Sequence, residues 1–81
     1  MSELFLIWHG DPKTAVELAE PMHALRDDLI LVRSDRTLSR LYHAVKHQLP
    51  RDTALCVAPL ASAPKFKGMT AGALTWVRRG A

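Results

Sequence analysis

Asp11-Pro12-Lys13-Thr14-Ala15-Val16-Glu17-Leu18-Ala19-Glu20-Pro21-Met22-His23-Ala24-Leu25 reads as the first helix of this chain, and a helix here makes the apolar runs on either side of it parallel strands. Asp11 has a good helix N-cap side chain, and Pro12 suits the first helical position, where its missing N–H costs nothing. Ala15, Leu18, Ala19, Met22 and Leu25 then recur at three- and four-residue steps, as one buried helical face requires. Pro21 interrupts the pattern and should kink or split the helix near Glu20, because it deletes a hydrogen bond and clashes with the preceding turn. Taken as a helix, the segment links one apolar run to another.

Those runs are Leu4-Phe5-Leu6-Ile7-Trp8 before it and Leu29-Ile30-Leu31-Val32 after it. Their unbroken apolarity implies strands buried on both faces, as in parallel sheets. His9-Gly10 reads as the intervening turn. Ser34 or Asp35 is placed to cap a second helix running to about Leu49, where Pro50 ends it. Its apolar face is Leu38, Leu41, Tyr42, Val45 and Leu49; the opposite face carries Ser39, Arg40, His43, Lys46 and His47. Ala54-Leu55-Cys56-Val57-Ala58 is the third strand, closed by Pro59, and Leu60 to Met69 reads as an ordered loop. Thr70 then caps either a short helix through Arg79, with Gly80 after it, or precedes a strand from Ala73 to Val77; Gly72 weakens both.

Strand and helix in alternation predict an α/β fold: a small three-stranded parallel βαβαβ sheet with helices packed on it and a C-terminal helix or strand. Both crossovers should be right-handed. A ferredoxin-like α+β sandwich is the alternative. It needs a hairpin between its second and third strands, for which Ser34-Asp35 leaves no room.

The 81 residues make one domain, 1–81, and a chain this short buries only about 60% of the surface its unfolded form exposes. Hydrophobic residues at 48% and charged residues at 23% argue against disorder. Cys56 is the single cysteine, so no disulfide supplements the core, and its mid-strand position implies a buried, inert thiol. Met1-Ser2-Glu3 lacks the positive region of a secretory signal, and the apolar run after it is far short of the roughly twenty residues that span a bilayer. A cytoplasmic location is expected, without a membrane partner. Exposed edges on so small a sheet favour pairing with a second copy as a homodimer.

The net charge of +3 permits acidic partners. From Ala54 to Ala81 there is no acid, whereas Lys65, Lys67, Arg78 and Arg79 are basic. Open parallel sheets bind ligands beyond the carboxyl ends of their strands. Three loops would meet there: His9-Gly10-Asp11, Ser34-Asp35-Arg36-Thr37 and Ser62 to Lys67. An anionic, phosphate-bearing small molecule or partner would be held by Ser34, Arg36, Thr37, Lys65 and Lys67 near two helix N-termini. Against this, Asp11 and Asp35 as caps satisfy the same N–H groups, and Gly10 stands alone without a glycine-rich loop.

Lys65-Phe66-Lys67, with Arg78 and Arg79, supplies a second candidate, a nucleic-acid surface in which cations meet phosphates and the ring stacks on a base. The competing role for Phe66 is a core plug with its lysines snorkelling into water. His43 and His47 share one helical face, yet Ala44 stands where a zinc protease has glutamate, and Lys46 lies between them; no metal site and no cofactor are expected. Nothing resembles a nucleophile elbow, and His9 with Asp11 is the only pair in an acid–base arrangement, so no catalytic residue is assigned. Trp8 and Trp76 would suit a protein-interaction subunit without a small-molecule site, although both indoles also fit a core. The composite expectation is a small basic binding module rather than an enzyme.

Overall fold

A computed structural model describes residues 2–79. In chain order the elements are β1 (Glu3–His9), β2 (Met22–Arg26), β3 (Leu29–Ser34), α1 (Leu38–Lys46), β4 (Leu55–Leu60) and α2 (Ala73–Arg79). The strands form one sheet in the order β2-β3-β1-β4, and every neighbouring pair is antiparallel. The fold is therefore α+β. This overturns the parallel three-stranded βαβαβ sheet. The ferredoxin-like order does not replace it, because both strands of the hairpin precede α1 here.

The expected first helix does not form. Asp11 holds a tight local turn instead, its carboxylate accepting from the Thr14 hydroxyl at 2.6 Å and the Lys13 N–H at 3.2 Å. Beyond it the chain runs without regular structure, and from Val16 to Met22 burial alternates residue by residue. Val16, Leu18, Glu20 and Met22 face inward, while Glu17, Ala19 and Pro21 face out. That is the period of an extended backbone, not of a helix. Pro21 has no N–H to give to a helix, and its carbonyl accepts from Arg33 N–H at 3.0 Å, which leads directly into the β2–β3 hairpin. Asp27-Asp28 closes the hairpin, and a register shift between Ala24 and Arg26 turns Leu25 into the core. Gln48 then ties the coil to α1: its side-chain amide accepts from Glu17 N–H at 2.7 Å and donates to Glu17 carbonyl at 2.6 Å.

The unbroken apolar runs have a different cause from the one expected. The sheet is covered on both faces, so β1 and β3 bury alternate residues in two separate cores. One face holds Phe5, Ile7, Ile30 and Val32 under Val16 of the coil and Leu41 and Val45 of α1. The other holds Leu4, Leu25 and Leu31 under Ala73 and Val77 of α2, with Phe66 and Met69 of the preceding loop beside them. Two-sided cover, rather than strand direction, dictates such a run.

β3 and β4 do point the same way, joined by α1, but β1 lies between them and opposes both. Ser34 and Leu60 thus end up at one end of the sheet, opposite Glu3 and Leu4. His9 sits at the far end, opposite Leu55. β4 is an edge strand and runs on through Pro59 to Leu60; an edge tolerates the missing N–H that was expected to close the strand at Ala58.

Thr37, not Ser34 or Asp35, caps α1, its hydroxyl accepting from Arg40 N–H at 3.3 Å. The C-terminal segment is helix rather than strand, and the expected Gly80 stop lies outside the described residues. Gly72 enters that helix at φ +85°, a conformation glycine adopts freely. Two burial expectations also change. Cys56 is exposed, and Trp8, its cross-strand neighbour, is 41% exposed. Trp76 is half-buried against α2's core.

Candidate functional site

Ser34, at the end of β3, is only 2% exposed, and its hydroxyl already has two partners. It donates to Glu20 Oε2 at 2.8 Å and accepts from Arg36 N–H at 3.0 Å. Arg36 Nε also meets Glu20 Oε2 at 2.8 Å. Glu20 therefore occupies the place where an external anion was expected to meet Ser34 and Arg36, and Thr37 spends its hydroxyl on α1. The three residues are brought together, but around an internal carboxylate.

Lys65 and Lys67 are exposed on either side of Phe66, whose ring packs on the α2-covered core. Arg78 and Arg79 are exposed in the last turn of α2. Arg33 Nη2 donates to Val77 carbonyl at 2.8 Å, which fixes that helix end beside β3 at the Ser34 end of the sheet. The loop His9-Gly10-Asp11 is at the other end, so the expected meeting of three loops is reduced to two.

His9 is fully buried; its Nδ1 accepts from Asp11 N–H at 3.2 Å, while Nε2 has no hydrogen-bond partner among the described residues. The Asp11 carboxylate is held below its ordinary value of 3.8, chiefly by the Thr14 hydroxyl. It binds Thr14 and Lys13, not the imidazole, so these two residues do not form an acid–base relay.

A further set of exposed basic side chains lies elsewhere, along the outer face of α1. Arg40, His43, Lys46 and His47 are all exposed there, with Arg51 just beyond the helix. The rings of His43 and His47 stack at 6.3 Å, Tyr42 meets His43 edge-on at 5.4 Å, and Lys46 Nζ stands 5.9 Å above the Tyr42 ring. The sequence from Arg36 to Arg51 contains no aspartate or glutamate. That signal is legible in the sequence beside the acid-free tail.

A cleft of about 290 Å³ opens at the C-terminal end of α1, lined by Tyr42, Lys46, Leu49, Arg51, Asp52 and Leu55 among others. A wider hollow of about 440 Å³ lies beside the hairpin turn, where Asp27 and Asp28 make it unsuited to anions. Among the described residues no three His, Cys, Asp or Glu side chains are grouped to hold a metal ion, and no helix is long and apolar enough to cross a membrane. No family model, curated protein or solved structure matches the chain.

Proposed function

We propose that this protein is a small binding module whose partner carries phosphates, and that the partner is a nucleic acid lying along the exposed face of α1. The observation that supports this reading is the row of exposed cations Arg40, Lys46 and Arg51, in a stretch from Arg36 to Arg51 that holds no aspartate or glutamate. Cations in such a row displace counterions from a phosphate backbone, a sequence-independent source of affinity. Lys65, Lys67, Arg78 and Arg79 add charge, but Phe66 serves the core and is not free to stack on a base. The reading includes a cytoplasmic home and a homodimer, in which the exposed edge strand β4 pairs with its copy and two basic faces act together.

Fluorescence anisotropy with labelled oligonucleotides over a salt series tests it. Affinity should fall steeply with salt. The triple variant Arg40→Gln/Lys46→Gln/Arg51→Gln should flatten the logarithmic slope by about 2, at roughly 0.7 for each phosphate of a single strand that is no longer neutralised. Lys65→Gln/Lys67→Gln should change it less. Salt-independent binding, no binding at low salt, or a loss confined to the second variant overturns the α1 assignment. Light scattering that shows only monomer at micromolar concentration removes the dimer.

A further inference from the structure

The cleft at the end of α1 has the composition of a nucleotide site. Its volume of about 290 Å³ lies just below the roughly 300–1,000 Å³ found for ligand pockets, so it has room for one nucleotide unit at most. Leu49 and Leu55 are half-buried and give it an apolar floor, and the half-buried Tyr42 gives it an aromatic wall. Lys46 and Arg51 are exposed cations on its lining. The turn that presents Arg51 is closed by Thr53 N–H donating to Pro50 carbonyl at 3.2 Å, so that side chain springs from a fixed backbone. An aromatic ring, two apolar side chains and two cations on one lining match what a base and its phosphates need.

We infer that this cleft takes one unstacked base of a single-stranded nucleic acid, with the flanking phosphates on Lys46 and Arg51. The inference rests on the reading of α1 as the nucleic-acid face and adds that the strand is single. Bases in a duplex are paired and stacked, and one enters such a cleft only after flipping out at a cost of a few kcal/mol. Lys46 now covers the Tyr42 ring at 5.9 Å, a loose contact near the limit of cation–π attraction. A phosphate that draws the ammonium outward leaves the ring face for the base. The Asp52 carboxylate on the same lining accepts hydrogen bonds only, and the exocyclic amino group of a cytosine is a donor it can take.

Two measurements on the full chain test this. In anisotropy, a cytosine-rich single strand should bind at least tenfold tighter than the same sequence as a duplex. Tyr42→Leu, which keeps an apolar side chain but removes the ring, should weaken single-strand binding about tenfold or more without altering the salt slope, whereas Tyr42→Phe should retain it. Unchanged urea midpoints verify that both variants fold. In NMR, cytidine monophosphate should shift the amides of Tyr42 and of residues 49–55. Equal affinity for single strand and duplex, or an unaltered affinity in Tyr42→Leu, overturns the cleft while leaving the α1 reading in place. Amide shifts with cytidine monophosphate but no oligonucleotide binding overturn the α1 reading and support the cleft as a mononucleotide site. No response in either measurement overturns both.

Discussion

Ser34→Ala should be among the most damaging single-atom deletions available in this protein. The hydroxyl is 2% exposed and donates to a carboxylate, Glu20 Oε2, at 2.8 Å. A hydrogen bond to a charged group contributes about 1.5–3 kcal/mol. Glu20 Oε1 has no partner among the described residues, so the carboxylate has nothing in reserve. Arg36 remains beside it at 2.8 Å, but its side chain is 41% exposed and water screens that attraction. Arg36 N–H also loses its acceptor; belonging to an exposed residue, it turns to water at a cost of about 0.5 kcal/mol. The sum is about 2–3.5 kcal/mol, a large share of the roughly 4–12 kcal/mol that holds a chain of 81 residues folded. Urea unfolding followed by the fluorescence of Trp8 and Trp76 should show a lower midpoint with an unchanged m-value. In the double variant with Glu20→Ala the two costs should fall short of additive by 1 kcal/mol or more, since both remove the same hydrogen bond. A Ser34→Ala loss below about 0.5 kcal/mol would mean that water already satisfies Glu20, and the reasoning about this network would fail. Nucleic-acid affinity should not change, because the hydroxyl is turned inward.

Three further outcomes follow from local geometry. Thr37→Ala removes the α1 cap and should cost about 1 kcal/mol by urea unfolding. Gly72→Ala meets only ordinary contact with His23 Cε1 at 3.9 Å, so its penalty, about 1–2 kcal/mol in the same assay, comes from φ +85° alone. Asp11 has a depressed pKa, so the stability it contributes is complete above its ordinary value of 3.8 and is lost as pH falls through the lower folded value. Thr14→Val should move the Asp11 carboxyl back up towards 3.8 in a ¹³C NMR titration, because the Thr14 hydroxyl is the largest cause of the depression.

Three of the four strands and α1 were legible in the amino-acid sequence because each carries one unmixed signal, a short unbroken apolar run for the strands and a helical period for α1. Leu41 and Val45 face the core at helical spacing, and Leu29–Val32 is apolar throughout. The failure lay between Asp11 and Leu25, where two periods compete. Ala15, Leu18, Ala19, Met22 and Leu25 fit a helix, and Val16, Leu18, Glu20 and Met22 fit an extended chain. What tips the balance is tertiary: Ser34 and Arg36 await Glu20, and Gln48 grips Glu17 through both backbone groups. None of these partners is a sequence neighbour. That one segment sets the direction of β1 relative to β3 and β4: as a helix it would make β1 parallel to them, and as an extended chain entering a hairpin it leaves β1 antiparallel to both. The basic helix face was visible as composition, but the cleft at its end depends on Leu55 of β4 meeting Tyr42 of α1, which only packing can arrange.

The sheet order also sets a timetable for folding. β1 is the first strand made and the inner one, flanked by partners that come some 25 and 50 residues later in the chain. Only the β2–β3 hairpin can assemble from close neighbours. On the ribosome, β1 must therefore wait with one hydrogen-bonding edge open until Ser34 has emerged and with the other open until Leu60 has. Such distant pairings slow the search for the native state relative to a helical bundle of equal length, and they make the waiting strand the point at which nascent chains would stick to one another.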